Sequence, residues 1–291
     1  MSNLTVLQSQ EDDSVNFVLS GDFPGYFEAR YVRRDPRKMA VYLSSQSGCP
    51  QSCRMCHLTT TKQTKFINAT WGDYTNQAMR VLEYYDKNCP KAEMVHFNFM
   101  ARGEALANPN FLQKGQSLFN KLGKEVIKRD LQARFLVSTI MPQSFKNKSL
   151  GKFFPVNGPE IYYSIYSVRE EFRRRWLPTA MPVDEALKML KRYHDDTKKV
   201  VRLHWAFIEG QNDSEEDMVL MAHKVRSSDL SVEIRIVRYN PYSEAYGRES
   251  PWPIIERNLE ILKTYLPFSR VKVITRVGQD VKASCGMFVE P

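Results

Sequence analysis

The chain has 291 residues, room for one large or two small domains, and its 42% hydrophobic content supports one sizeable core; a single domain is expected. A formal charge of +9 favours a polyanionic partner, because lysine and arginine displace counterions from a phosphate backbone. No window is long and apolar enough for a membrane span, Met1 to Thr5 lacks a charged-then-apolar leader, and five cysteines, three of them clustered, do not make a disulfide framework; a soluble cytoplasmic protein is expected.

Residues 1 to about 13 are polar and acidic, ending in Gln10-Glu11-Asp12-Asp13, and are expected to lie unpacked. Residues 15–19 and 26–32 alternate or run apolar around Gly21-Asp22 and Pro24-Gly25, which predicts a hairpin. Residues 39–44 read as the first strand of the main domain. It leads into Ser44-Ser45-Gln46-Ser47-Gly48-Cys49-Pro50-Gln51-Ser52-Cys53-Arg54-Met55-Cys56. A tight loop with these gaps points Cys49, Cys53 and Cys56 at one face of a cube, so the three can ligate one iron–sulfur cluster and leave a fourth corner open for chemistry. Structural zinc normally takes four ligands, and His57 beside Cys56 is poorly spaced to complete them. Zinc and plain reduced thiols stay open as the alternatives.

Beyond the loop the pattern repeats as strand and helix. Helical spacing covers 75–85, 111–122, 183–194, 214–226 and 254–265, with a short helical stretch after residue 138; strands are predicted over 94–100, 133–138, 161–167, 200–208, 232–237 and 271–275. Such alternation argues for a parallel sheet with helices outside. Cys49, Glu104, Ser138, Ser164 and Asn240 fall at or just after the ends of predicted strands, where the active sites of barrels collect. Two basic runs, Arg30, Arg33, Arg34, Arg37 and Lys38, then Arg173, Arg174 and Arg175 beside Trp176, read as RNA-binding; solvated faces are the plain alternative.

The cysteine loop resembles that of the radical S-adenosylmethionine (radical SAM) enzymes, and the words around it resemble the RlmN/Cfr group of RNA adenine methyltransferases. Ser44 to Cys49 is similar to that group's lead-in, Gly103-Glu104-Ala105-Leu106 to its Gly-Glu-Pro-Leu, and Val137-Ser138-Thr139 to its Leu-Ser-Thr. Tyr163-Ser164-Ile165-Tyr166 resembles its Ser-Leu-His strand, and Ala283-Ser284-Cys285-Gly286 its Ala-Ala-Cys-Gly. Gln211-Asn212-Asp213 and Tyr239-Asn240-Pro241-Tyr242 match two further words in the same order, and the likeness runs from about Val15 to Phe288.

The resemblance implies an α/β fold, a partial (β/α)6 radical SAM barrel over 39–278. An N-terminal β-hairpin extension, 1–38, precedes it, and a mobile C-terminal tail, 279–291, carries Cys285. It implies a [4Fe–4S] cluster on Cys49, Cys53 and Cys56, and S-adenosylmethionine held by Gly103, Glu104, Ser138, Ser164 and Asn240. Cys285 would be the methyl carrier and Glu28 the proton acceptor that helps release product. The implied reaction is methylation of an adenine carbon, carbon 2 first, in ribosomal or transfer RNA. Adenine carbon 2 is electron-poor and no base makes it nucleophilic, so the carbon travels through a methylated cysteine and a radical. An electron donor such as flavodoxin or ferredoxin is the implied protein partner, no membrane is involved, and a monomer is expected.

The sequence also departs from the pattern. Where the family has a second cysteine that breaks the protein–RNA thioether by forming a disulfide with the carrier, this chain has Tyr42. Cys89, an external thiol, or a different radical modification of RNA would then be needed; a degenerate RNA-binding protein with a structural cluster is the non-enzymatic alternative. Phe99-Met100-Ala101-Arg102 replaces a glycine-rich lead, and Ala105 a proline. About fourteen polar residues precede the hairpin where family members carry a helical RNA-binding domain, so recognition is expected to rest on the barrel, the hairpin and the basic runs.

Overall fold

The computed structural model describes residues 3–155 and 158–290; Met1 and Ser2 of the polar N-terminus, residues 156–157, and Pro291 of the tail lie outside the described residues. Strands β1 (Asn3–Gln8), β2 (Val15–Ser20), β3 (Phe27–Asp35) and β4 (Lys38–Tyr42) pair antiparallel in succession. β2 and β3 form the expected hairpin, with Phe17 opposite Ala29 and Val18 opposite Glu28. β1 corrects the expectation of an unpacked N-terminus. It pairs with β2 from Asn3 opposite Ser20 to Gln8 opposite Val15, while Leu4 and Val6 stay 40% and 48% exposed. The ladder rather than burial holds it. The acidic run becomes its turn: the amides of Glu11 and Asp12 donate to Ser9 Oγ, and those of Ser14 and Gly278 donate to the Asp12 carboxylate.

The chain then runs through α1 (His57–Thr60), α2 (Trp71–Asn88), β5 (Met94–Phe99), α3 (Pro109–Ile127), β6 (Gln132–Thr139), α4 (Leu150–Phe153) and β7 (Glu160–Ser164). It continues with α5 (Glu170–Trp176), α6 (Val183–Thr197), β8 (Val201–Trp205), α7 (Glu215–Ser227), β9 (Val232–Ile236), α8 (Trp252–Tyr265) and β10 (Val271–Val273). Among the described residues the ten strands form one sheet in sequence order, β1 and β10 at its edges, and every pair from β4 to β10 is parallel. The strand predicted over 271–275 emerges as the three-residue β10, which makes seven parallel strands there, one more than the (β/α)6 pattern of the resemblance implies.

Local chemistry explains the long helices. Thr70 and Asp73 form a capping box at the start of α2, and Ser214 and Asp217 do the same for α7. Ala78, Val81 and Leu82 line one face of α2 at 0% exposure, and burying a valine or leucine contributes about 1.5–3 kcal/mol. α5 is absent from the sequence reading because three arginines interrupt its apolar stripe. Phe172 and Trp176 are nevertheless buried, and Arg173, 6% exposed, donates to Ile165 O at 2.8 Å and Met181 O at 2.9 Å.

Side chains alternate between the faces of a strand, so each strand divides its residues between the helices and the opposite face. Val41, Val95, Phe97, Val137, Ile161, Val201 and Leu203 are fully buried on the helix side. The alternate positions are polar, with Arg134, Glu160, Arg202, Glu233 and Arg235 forming ion pairs in a ladder across β6 to β9, including Arg202 Nε to Glu233 at 2.7 Å. Farther along that face, toward the strands' C-terminal ends, lie Tyr42, Asn98, Ser138, Ser164 and His204. Among the described residues no helix is long and apolar enough to cross a membrane.

Candidate active site

The segment after β4 is fastened to the end of β5 before it reaches the cysteines. Ser45 and Gln46 N–H both donate to Arg102 O (2.7 and 3.2 Å), and Asn108 Nδ2 donates to Ser45 O at 2.9 Å. Cys49 N–H donates to Gln63 O at 2.9 Å and Cys56 N–H to Cys53 O at 3.0 Å, which closes the loop on itself. At Gly48 a Cβ would lie 2.3 Å from Lys65 O, so only glycine fits. The three half-buried thiols lie in one another's fields. Burial pushes Cys53 well up and Cys49 up, each further raised by neighbouring cysteines, and Cys56 up to about 11 against the opposing amides of Leu58 and Thr59. Among the described residues no three His, Cys, Asp or Glu side chains are arranged to hold a single metal ion. By its chemistry a set of three thiols that lie in one another's fields fits an iron–sulfur cluster, where each thiolate takes its own iron.

Gly103 and Glu104 lock onto this loop. Gly103 has φ +87°, and a Cβ there would meet Gln46 Cβ at 2.6 Å; Glu104 N–H donates to Gln46 Oε1 at 3.1 Å. The Glu104 carboxylate accepts from Leu106 N–H (3.0 Å) and Ile140 N–H (3.1 Å), and burial outweighs these amides to push it up to about 7. No cation pairs with it among the described residues, and its charge reaches Cys49 and Cys53. A buried carboxylate without a cation, beside a three-thiol loop, fits a cofactor that brings its own ammonium group.

Ser138 and Ser164 meet where β6 and β7 end, Oγ to Oγ at 3.5 Å, and His204 Nδ1 joins Ser164 Oγ at 3.1 Å. Burial lowers His204 to about 4, so the ring is neutral, and its buried Nε2 has no hydrogen-bond partner among the described residues. Asn240, after β9, does not stand alone either: its Nδ2 donates to Cys285 O (2.9 Å) and Ser284 Oγ (3.2 Å), and its carbonyl meets His57 Nε2 at 3.1 Å.

The tail brings Cys285 to the cysteine loop, where it is hydrogen-bonded. His57 N–H donates to Gly286 O at 3.0 Å, directly after Cys56, and Cys56 and Cys285 lie in each other's fields. Burial raises the Cys285 thiol, with the charges of Arg30 and Arg34 opposing. Glu28 lies 0% exposed beneath the tail and accepts two donors on each oxygen. Oε1 takes Arg102 Nε (2.7 Å) and Val289 N–H (3.1 Å); Oε2 takes Arg30 Nη2 (2.7 Å) and Asn16 Nδ2 (2.9 Å). Burial raises its pKa, but the two guanidiniums outweigh this and hold the carboxyl below the usual range.

Two members of the expected basic surface turn inward for the same reason: Arg30 is 2% and Arg173 6% exposed, each spent on carboxylate or carbonyl partners inside the protein. Arg174, Arg175, Arg34 and Arg37 remain exposed. Tyr42 presents a phenol that accepts from Arg34 Nη1 at 3.2 Å. Cys89 caps the C-terminus of α2 beside Tyr31, ahead of β5 and so at the opposite end of the parallel strands from Cys285. The structure does not bring those two thiols together. Arg102, His57, Asn16 and His204 were missed as site residues; Arg102 was visible only as a break in the lead to Gly103, and His204 only as one polar residue in an apolar run.

No family model matches the chain. A probable dual-specificity RNA methyltransferase RlmN of Heliobacterium modesticaldum is 25% identical over 261 residues, covering 88% of this chain and 64% of that protein. The dual-specificity RNA methyltransferase RlmN of Nitratiruptor sp. is 26% identical over 99% of this chain and 74% of its own length, and a probable one of Thermus thermophilus is 26% identical over 98% and 78%. The chain thus spans just under two thirds of the first and about three quarters of the others. A radical SAM methyltransferase from Sphaerobacter thermophilus superposes with a TM-score of 0.80 at 19% identity over 98% of this chain and 80% of that one. Methylornithine synthase superposes at 0.51 with 14% identity, over 80% of this chain and 63% of that one. The chain has the α/β parallel-sheet fold of radical SAM structures, and RlmN-type RNA methyltransferases are its homologues at about a quarter identity over nearly all its length.

Proposed function

We propose that this chain is a radical SAM RNA methyltransferase whose parallel sheet is the wall of a partial barrel. Cys49, Cys53 and Cys56 hold a [4Fe–4S] cluster, and Gly103-Glu104, Ser138, Ser164 and Asn240 hold S-adenosylmethionine. Cys285 carries the carbon to an adenine, at carbon 2 in the first instance. The observation that supports this most is the approach of Cys285 to the cysteine loop, through the 3.0 Å bond from His57 N–H to Gly286 O. A cluster held by Cys49, Cys53 and Cys56 would supply one-electron reduction of a sulfonium, the chemistry that yields a carbon radical able to abstract hydrogen.

The protein's own groups prepare that chemistry. Glu104 offers a carboxylate whose partners, the amides of Leu106 and Ile140 and the Thr139 side chain, are all uncharged, and it would gain a counter-charge from the cofactor's ammonium. Cys285 must lose its proton to accept a methyl group, and the charges of Arg30 and Arg34 favour the thiolate against burial. Exposed Arg174 and Arg175 and the overall +9 charge suit an RNA backbone. Flavodoxin or ferredoxin would supply the electron.

A second reading, a different radical modification of RNA, is favoured by Tyr42 alone: a phenol cannot form the disulfide that frees the product, and Cys89 lies at the wrong end of the strands. Anaerobic reconstitution tests the first reading. About four irons per chain, 5′-deoxyadenosine on reduction and an added methyl on Cys285 are expected. A full cluster that makes no 5′-deoxyadenosine overturns both enzyme readings, and 5′-deoxyadenosine without a methyl on Cys285 leaves only the second. Nucleoside mass spectrometry of RNA from cells with and without the protein then identifies the methyladenosine isomer.

A further inference from the structure

A carboxylate offers about four acceptor sites, and Glu28 has all of its sites filled from within the protein. A proton arriving from a substrate would find none of them free. Each of the donors leads instead to the tail. Arg30 reaches past Glu28 to Ser284 O (3.3 Å) and Met287 O (2.7 Å), and Arg102 reaches past it to Val289 O (2.6 Å). Asn16 holds Val281 O at 3.1 Å, and Val289 N–H is itself one of the four donors. Between the two guanidiniums lies the Phe288 ring, its centroid 4.8 Å from Arg30 Cζ and 5.6 Å from Arg102 Cζ.

The gripped stretch, 281–289, has Cys285 at its centre. Asn240 fixes Cys285 O and His57 fixes Gly286 O on the side of the cysteine loop. The charges explain why the grip is firm. Glu28 neutralises one of two guanidiniums that are 0% and 2% exposed; Arg102 Nη1 donates to Gln63 Oε1 and Ser47 O in the cysteine-loop region, while Arg102 Nη2 and both Nη groups of Arg30 donate to carbonyl oxygens of the tail. Lifting the tail would break those charged bonds together.

We propose that Arg102 and Arg30, joined through Glu28, form a clamp that positions Cys285 over the cysteine loop, and that Glu28 is the hub of this clamp rather than the proton acceptor. This rests on the reading of Cys285 as the carbon carrier. Arg102, in the segment Phe99-Met100-Ala101-Arg102 that replaces a glycine-rich lead, is the positioning residue.

The test uses the full-length, anaerobically reconstituted protein, with cluster content checked by visible absorbance. Cys285 alkylation by iodoacetamide and amide hydrogen exchange over 279–290 are measured by mass spectrometry in wild type, R102M, R102K and V289P. R102M leaves Glu28 and Arg30 as a balanced pair; V289P removes the tail N–H, with the φ restriction proline brings to the tail, and leaves every sheet residue in place. Both are expected to raise the Cys285 alkylation rate roughly ten- to hundredfold, the ratio for losing a charged hydrogen bond, with tail protection lost and β2, β3 and α2 still protected. R102K should recover part of the protection. Wild-type values in V289P overturn the clamp, whatever R102M does. A methyl on wild-type Cys285 after exposure to S-adenosylmethionine is scored separately: its absence, with the clamp intact, defeats the carrier reading and not the clamp.

Discussion

Glu28 and Glu104 are both buried, and both are tethered to the lead-in of the cysteine loop, Glu28 N–H to Ser44 Oγ at 2.8 Å and Glu104 N–H to Gln46 Oε1 at 3.1 Å. Their electrostatics are opposite. At Glu28 burial is outweighed by Arg30 and Arg102, so the carboxyl stays ionised; at Glu104 burial outweighs two amides, so it rises to about 7. A carboxylate completed by the protein's own cations holds structure, whereas one left with uncharged donors alone has a charge still to be answered. The clamp region is electrostatically finished. The surroundings of Glu104 are not.

That contrast can be broken from either side. The largest effect is expected on the Glu104 and cysteine-loop side: Cys53→Ala should abolish 5′-deoxyadenosine formation, read by chromatography after reduction, because the proposed cluster would lose one of its three thiolates. On the clamp side, Glu28→Gln leaves two guanidiniums buried with no counter-charge and should cost about 3–5 kcal/mol in denaturant unfolding. Retention of wild-type stability would mean the arginines find other anions.

His204 carries the contrast into pH. Burial lowers its imidazole to about 4, against an unfolded value near 6.5, so its neutral form contributes stability above about pH 6.5 that is lost as pH falls toward 4. The loss should reach roughly 3 kcal/mol, and His204→Gln should flatten that limb when denaturation curves at pH 7 and pH 5 are compared. Glu104→Gln should be milder, changing stability at pH 7 by less than about 1 kcal/mol, because the ionised form is already near balance with the neutral acid. Its S-adenosylmethionine affinity, measured by equilibrium dialysis, should still fall about tenfold through loss of the charged partner. Smallest of all, Arg174→Ala on exposed α5 should shift stability by under about 0.5 kcal/mol and reduce the salt slope of RNA binding by about one unit. Its neighbour Arg173, bonded to two carbonyls, should not tolerate alanine so easily.

Much of the strand and helix order was legible because it is written in local periodicity. The run 94–100 emerges as β5, 133–138 as β6 and 232–237 as β9, and the apolar stripe of 75–85 lies at the centre of α2. α5 escaped because its buried Arg173 looks like a surface residue until Ile165 and Met181 carbonyls are seen to receive it. β1 escaped because a strand held by its ladder alone has no burial pattern to read. The polar face of the parallel strands was hidden likewise, since Arg134, Glu160, Arg202 and Glu233 look like interruptions in four separate strands and become an ion-pair ladder only when those strands lie side by side.

The sequence by itself determined the three-cysteine loop, the glycine that lets Glu104 meet it, and the alternation of strand and helix, all set by spacings within a few residues. Only the tertiary structure decided that Cys285 approaches the loop, that Cys89 does not, and that Glu28 is gripped by Arg102 and the tail. The reason is range. Glu28 and Val289 stand 261 positions apart, and which charges a buried carboxylate meets depends on what the fold stacks upon it, a quantity no local spacing contains.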